Sequence, residues 1–266
     1  MKNTTEIKYN KLKEILASKE SLAIAYSGGA DSSLLAAAAV NIMGDKALGI
    51  FLNSPLSSKR EVQNAVATAG EIGLKLKIIN FNPFAAEGFD SNQKNRCYIC
   101  KKQISREIKE FIKSYGIFDI ADGLNLSDTY EYRPGIKACD EEGILHPFVE
   151  ADITKDDIRE IARELKYSFA DKPSSACLAS RIPYGDKITP EKLKIIENAE
   201  EILFNLGFEN FRVRVHGDIA RIEILPGDFE KILKTRNLII EQFKNIGFGY
   251  ICLDIEGFRS GSLDEI

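Results

Sequence analysis

Tyr26-Ser27-Gly28-Gly29-Ala30-Asp31-Ser32-Ser33 is the stretch whose reading decides the fold. It joins an apolar run, Ser21 to Tyr26, to a segment with an alanine-rich face, Asp31 to Met43. A glycine-rich turn between a buried strand and a helix leaves backbone N–H groups unpaired at the positive end of the helix dipole. An anion is welcome there. Gly28 and Gly29 let the backbone approach that anion without Cβ atoms in the way. Ser27, Ser32 and Ser33 add hydroxyl donors. The turn lacks the lysine of a Walker A loop and the third glycine of a dinucleotide fingerprint. Asp31 would repel a bare phosphate, so its presence suits a site that also holds Mg²⁺.

Outward from this turn, short apolar runs alternate with helical patterns. Ala47 to Leu52, Leu74 to Phe81 and Ile117 to Ala121 read as further buried strands, and Lys59 to Ile72 and Cys97 to Tyr115 as helices. Continuous apolar strands alternating with helices predict an α/β sandwich with a parallel sheet covered on both faces. The pattern changes near Pro183. Thr189 followed by Pro190 is a good helix start and Gly207 a good stop. Phe211 to Val215 and Ala220 to Leu225 then alternate at period two, as half-solvated strands do. A helix from about Asp228 to Asn245 and a strand over Tyr250 to Ile255 complete a smaller α+β domain. The expected division is therefore 1–184 and 185–266.

The 266 residues, 44% hydrophobic and 29% charged, exclude a disordered or collagen-like chain and suffice for a core without disulfide or metal staples. A net charge of -4 gives no overall basic footprint, so nucleic acid is not an expected partner. The longest apolar stretch, Leu34 to Val40, is far short of the about 20 residues that cross a bilayer. With no targeting pattern at the N-terminus, the expected location is cytoplasmic. Two histidines argue against a histidine-rich zinc enzyme. Five cysteines are too few for a secreted disulfide scaffold, so any role is as thiols or metal ligands.

Cys97 and Cys100 form a C-x-x-C pair at the start of a helix, which reads as a redox pair, half a zinc site or part of an iron–sulfur site. Cys177 lies in a polar, turn-rich segment, Lys172 to Gly185, where Arg181 and Lys172 would favour its thiolate. Cys252 reads as a small buried hydrophobe. Cys139 is open to either reading. Asp128 and Arg133 follow the strand over Ile117 to Ala121 at its carboxyl end, where open α/β sheets bind ligands, or they belong to a solvated loop with an Asx-turn. Arg212 and Arg214 share one strand face, suited to phosphate or carboxylate, or to a solvent face pairing with Glu209 or Glu223.

The Ser-Gly-Gly-x-Asp-Ser turn resembles the pyrophosphate loop of ATP pyrophosphatases, the superfamily with the adenine nucleotide alpha-hydrolase-like sandwich. The rest of the chain narrows the resemblance. Arg-Cys-Tyr-Ile-Cys-Lys at 96–101, Asp-Gly-Leu-Asn at 122–125 and Tyr-Arg-Pro-Gly at 132–135 are similar to the LarE-type sulfur transferases of nickel-pincer cofactor synthesis. So are Ala-Cys-Leu-Ala-Ser-Arg-Ile-Pro-Tyr-Gly at 176–185, Arg-Val-Arg-Val-His-Gly at 212–217 and Glu-Gly-Phe-Arg-Ser-Gly-Ser at 256–262. One departure is Leu-Ser-Asp-Thr-Tyr-Glu after Asn125, where members more often have Ala-Asp-Asp.

That resemblance implies an enzyme that adenylates a carboxylate of pyridinium-3,5-biscarboxylic acid mononucleotide with ATP and then converts it to a thiocarboxylate. It implies that Cys97, Cys100 and Cys177 hold a 4Fe-4S cluster whose fourth iron carries an extra sulfide. In the other type of the family Cys177 gives up its own sulfur. It further implies that Arg212 and Arg214 hold the substrate phosphate with Arg181 and Glu200 nearby, and that the chain is a homo-oligomer. For Glu200 the plain alternative is a solvated helix face. The chemistry asks for charge neutralisation and a sulfur nucleophile rather than a base. Two rivals remain: a tRNA thiolation enzyme, and a non-catalytic nucleotide- or zinc-binding module.

Overall fold

The computed structural model describes residues 1–131, 133–173 and 176–259. The chain divides into two units, Met1–Ala86 with Cys97–Ser175, and Glu87–Arg96 with Ala176–Ile266. This differs from a single cut after residue 184. The segment 87–96 is hydrogen-bonded into the second unit: Gly185 N–H donates to Asn92 O (3.1 Å), Ile188 N–H to Asp90 O (2.9 Å) and Asn92 Nδ2 to Pro183 O (2.7 Å). Cys177 consequently belongs to the second unit, while Cys97 and Cys100 belong to the first.

The first unit is built on four parallel strands, β1 (Leu22–Ala25), β2 (Ala47–Asn53), β3 (Lys75–Asn80) and β4 (Ile120–Ala121), in the order β3-β2-β1-β4. Its helices are α1 (Asn3–Ala17), α2 (Ala30–Met43), α3 (Lys59–Glu71), α4 (Arg96–Lys113), α5 (Pro134–Glu141), α6 (Pro147–Glu150) and α7 (Lys155–Glu164). Successive strand side chains point to opposite faces, so each face grows its own core. Leu22, Ile24 and Phe51 pack with Leu12 and Leu16 of α1, the alanines of α2, Ala65 of α3 and Ile161 of α7. Ala23, Leu48 and Ile50 pack with Ile108 and Ile112 of α4 and with Cys139 of α5. This is the parallel sandwich that the apolar runs imply. β3 departs from the expectation of a buried strand: as the sheet edge it exposes Lys75, Lys77 and Ile78, and lysines on an edge discourage pairing with another chain.

The second unit holds α8 (Pro190–Asn205), β5 (Phe211–His216), β6 (Ile219–Ile224), α9 (Phe229–Asn245) and β7 (Tyr250–Leu253). β5 and β6 pair antiparallel, and β7 lies parallel to β6. Thr189 caps α8 by accepting from Lys192 N–H (3.2 Å), and Gly207 ends it with φ +79°. β5 is not half-solvated. Phe211, Val213 and Val215 are buried on one face and Arg212 and Arg214 on the other. Cys252 is exposed on β7, which corrects its reading as a core residue. Cys139 is buried, and burial pushes its thiol up to about 11. Among the described residues no helix is long and apolar enough to cross a membrane.

One polar tie closes the β4 side of the first unit. His146 Nδ1 meets Asp122 Oδ1 at 2.7 Å and its Nε2 meets Asp140 Oδ1 at 3.2 Å. Burial disfavours both charges, yet the mutual attraction prevails, raising the histidine above 6.5 and lowering the aspartate below 3.8. The histidine contribution is complete below pH 6.5 and fades as pH climbs through its raised folded pKa. The aspartate contribution is complete above 3.8 and fades as pH falls through its lowered one. His146→Ala should therefore lose about 2 kcal/mol of stability near pH 6. Urea unfolding repeated at about pH 9 should show a smaller difference between the variant and the parent; equal differences at both values would refute this.

Candidate functional site

β1 lies where the strand order reverses, between β2 and β4, and open α/β sheets bind ligands in the crevice beyond the carboxyl ends of such strands. The turn at 26–31 leaves β1 there and Asp122-Gly123 leaves β4. Two close approaches fix the crevice. Gly28 has φ +71°, and a Cβ on it would lie 2.6 Å from Ala65 Cα and Cβ on α3. A Cβ on Gly123 would lie 2.7 Å from Ser32 N at the start of α2. Gly123 entered the sequence reading only within the Asp-Gly-Leu-Asn motif at 122–125, with no role of its own; its further signal is its place just after a strand end.

Gly29 occupies the N-cap of α2, and no side chain caps the helix. Ser27 is exposed, and its hydroxyl lies 3.0 Å from Ser32 Oγ and accepts from Gly29 N–H at 3.4 Å. Ser33 does not join them. Fully buried one residue further on, it donates to Tyr26 Oη at 3.4 Å, and Tyr26 Oη donates to Ala65 O at 3.2 Å. Ser33 therefore holds α2 to α3 and is withdrawn as a phosphate donor.

Asp31 sits in the first turn of α2, half-buried, and accepts from Asn125 Nδ2 at 3.5 Å. Burial first and the Asp128 carboxylate second push its carboxyl above the usual range. Asp128 is buried. It and Asn125 cap each other's backbone N–H groups, the Asx arrangement foreseen for a solvated loop but here inside the protein. Arg133 Nη2 pairs with Asp128 Oδ1 at 2.8 Å and with Glu131 at 2.9 Å. Lys172 donates from Nζ to Gly28 O at 2.6 Å.

In the second unit Cys177 is exposed and precedes the 3₁₀ turn Leu178–Arg181. Arg181 Nη1 donates to Ala176 O (2.6 Å) and Cys177 O (3.3 Å), while its Nε and Nη2 form a fork on Glu200 at 2.8 and 3.0 Å. Glu200 also accepts from Val213 N–H at 3.1 Å, so it is a buried tie between α8, β5 and the turn after Cys177. The solvated-face reading of Glu200 fails. Its signal was present in the α8 stripe Leu193, Ile196, Ala199, Glu200, Leu203, all on one buried helix face.

Arg214 forms a second fork, Nε and Nη2 on Glu223 at 3.0 Å each, and donates to Ser180 O at 2.5 Å. Glu209 plays no part in these pairs, and the pairing face is buried rather than solvated. Arg212 is different. Among the described residues no carboxylate pairs with it; it donates to Arg259 O at 3.1 Å and lies over the Phe258 ring at 4.7 Å. Burial, then the charges of Arg214 and Arg181, lower its guanidinium to about 10. A buried guanidinium with no direct carboxylate partner among the described residues suits an anion. The closing motif at 256–262 continues past Arg259 and its Ser260 to Ser262 lie outside the described residues.

Removing one partner from a buried fork strands the other charge. Glu200→Ala should destabilise the protein by about 3–5 kcal/mol, whereas joint replacement of Arg181 and Glu200 by Met and Leu should lose less than the sum of the two single changes. Denaturant unfolding of the three variants reads this directly, and strict additivity would show that the pair is not coupled.

A family model described as NAD synthase matches residues 4–125, the part that carries the turn after β1. The chain is 36% identical over 263 residues to an uncharacterized protein of Synechocystis, covering 98% of each. It is 37% identical over 251 residues to an uncharacterized protein of Methanocaldococcus jannaschii, covering 94% of this chain and 95% of the other. It is 32% identical over 243 residues to the pyridinium-3,5-bisthiocarboxylic acid mononucleotide synthase of Lactiplantibacillus plantarum, covering 91% of this chain and 88% of that enzyme. With a parallel sandwich and a pyrophosphate-loop turn beneath that identity, the chain belongs to the LarE family of ATP-dependent sulfur transferases.

Proposed function

We propose that this protein adenylates a carboxylate of pyridinium-3,5-biscarboxylic acid mononucleotide and replaces the adenylate with sulfur. The observation that carries the nucleotide part of the reading is the turn at 27–32. A helix start without a side-chain cap, reached by a glycine backbone, lies beside a half-buried carboxyl held above its usual range. Such a pair suits phosphate and a divalent cation together, because the cation relieves the carboxylate that phosphate alone would meet.

The residues fit Mg²⁺. This ion keeps several waters and is commonly held by one or two carboxylates plus substrate phosphates, so it does not need a preassembled cage. Among the described residues no group of three His, Cys, Asp or Glu forms such a cage. Asp31 would hold the ion, which would neutralise charge developing on the phosphates. Ser27, Gly28, Gly29 and Ser32 supply the loop donors around the pyrophosphate.

For the 4Fe-4S cluster the donor chemistry fits. Cys97 and Cys177 are exposed and Cys100 is half-buried, whereas Cys139 is buried with its thiol pushed up. Thiolates are the ligands of such clusters, and Cys97 and Cys100 lie three apart on the first turn of α4, hence on one face. As the resemblance implies, these three would hold the cluster, and it would supply sulfur for the second step.

In the first step a substrate carboxylate oxygen attacks the α-phosphorus of ATP. The bond to the bridging oxygen breaks and pyrophosphate leaves. In the second, sulfur adds to the activated carbonyl and AMP departs, leaving the thiocarboxylate. Neither step asks for a base, in keeping with a chain of two histidines of which one, His146, is already tied between two aspartates. Arg212, the guanidinium without a carboxylate, is assigned to the substrate phosphate. Arg181, Arg214 and Glu200 shape its surroundings, and Asp128 with Arg133 borders Asp31.

Anaerobic protein supplied with ATP, Mg²⁺ and the pyridinium mononucleotide should release AMP and pyrophosphate and yield a product carrying sulfur for oxygen, with iron and sulfide bound to the chain. Asp31→Asn should cut AMP formation at least about 10²-fold. Because burial makes the Asp31 charge unfavourable above its raised pKa, the same change should leave the unliganded fold no less stable at neutral pH. Cys97→Ser should abolish multiple turnover. An iron-free, active protein whose Cys177 loses the elements of hydrogen sulfide would establish the sacrificial mechanism instead. A salt-dependent tRNA shift would favour tRNA thiolation, and no AMP with any pyridinium carboxylate would favour a binding module.

A further inference from the structure

The turn after β1 lacks the lysine of a Walker A loop, yet a lysine ammonium is present at it. Lys172 arrives from 144 residues along the chain, held by the buried Phe169 and Ala170, and its Nζ donates to Gly28 O at 2.6 Å. The backbone around it is set: Lys172 N–H donates to Phe169 O at 3.1 Å, and the neighbouring Asp171 is engaged by Arg163 Nε at 2.9 Å. Lys172 is half-buried, and among the described residues no carboxylate lies within ion-pair distance of it. An ammonium has three donors, and the Gly28 carbonyl takes one.

Among the described residues this cation, drawn partly out of water, bonds a carbonyl dipole and is attracted by Glu61 only from beyond ion-pair distance, so it is under-compensated; it is stabilised once an anion arrives. The anion is defined by the position. Gly28 is the left-handed residue that carries the loop past α3, and the uncapped start of α2 begins one residue later. We propose that Lys172 is a direct ligand of the pyrophosphoryl group, a cation supplied from outside the loop that stabilises pyrophosphate as it departs. Pyrophosphate gains negative charge on leaving, so a cation fixed beside it favours the transition state over bound ATP. Asp31 with its metal and Lys172 then divide the charge between a carboxylate-bound ion and an ammonium.

This inference rests on the nucleotide reading of the loop and can fail separately from it. Calorimetric titration of the full chain with Mg²⁺-pyrophosphate and, separately, with AMP needs neither the pyridinium substrate nor sulfur. For Lys172→Met, affinity for pyrophosphate should fall at least about tenfold while that for AMP stays unchanged, and Lys172→Arg should recover most of the loss. ATP turnover to AMP should fall in Lys172→Met and return in Lys172→Arg. If Lys172 merely staples the loop, Lys172→Met loses affinity for AMP and pyrophosphate together, Lys172→Arg is no better, and the proposal is overturned. Unchanged pyrophosphate affinity in Lys172→Met overturns it equally. A parent protein that binds neither ATP nor pyrophosphate would instead overturn the nucleotide reading on which the inference stands.

Discussion

Everything in the nucleotide site depends on how closely the backbone after β1 passes its neighbours. Gly28 lies against Ala65 with no room for a Cβ, and Gly123 lies equally close to Ser32 at the start of α2. These two contacts leave no room for a side chain where the strand end, the helix start and the loop after β4 meet their neighbours. A helix terminus can serve an anion only if its N–H groups stay aimed and unpaired. The small residues that allow these contacts, including Ala65 and the alanines of α2, are therefore part of the site although none of them carries a reactive group.

Charge in the second unit follows a different rule. Two of its arginines are neutralised by forks inside the protein, Arg181 on Glu200 and Arg214 on Glu223. Each pair is expensive to break and contributes little net stability, so its value lies in fixing geometry. Glu200 joins a helix, a strand and the turn after Cys177 through one carboxylate. Arg212 alone of the three lacks such a partner, and the charges of the other two lower its guanidinium further. The electrostatic contrast within this one cluster sets Arg212 apart from Arg181 and Arg214, where sequence offered only two arginines on one strand face.

The cysteines divide in a similar way. Cys139 is a core thiol, packed on Ile108 and Ile112 and raised by burial. Cys97, Cys100 and Cys177 lie outside the core, at the start of a helix and before a 3₁₀ turn. Cys252 is exposed on the last strand, and nothing in the structure gives it a role. A family whose chemistry needs sulfur and cations rather than a base is consistent with this inventory.

The sequence by itself determined the sandwich, the strand-to-helix turn, the helix starting at Thr189 and the pyrophosphate-loop family. Each follows from local signals: apolar runs, glycines, a capping threonine and contiguous motifs. It did not determine which polar residues are buried. Ser33 reads as a loop donor until its hydroxyl is found buried on Tyr26, and nothing local to Lys172 places its ammonium at Gly28. Without the family resemblance Glu200 has only its plain alternative, a solvated helix face, and β3 and Cys252 read as core, because burial is a property of the assembled layers. Segment 87–96 joins the second unit through hydrogen bonds to residues some 90 positions away, as Asn92 does to Pro183. Local composition reports propensity; the partner of a charge and the cover over a face are settled by residues distant in the chain, and only tertiary packing decides those.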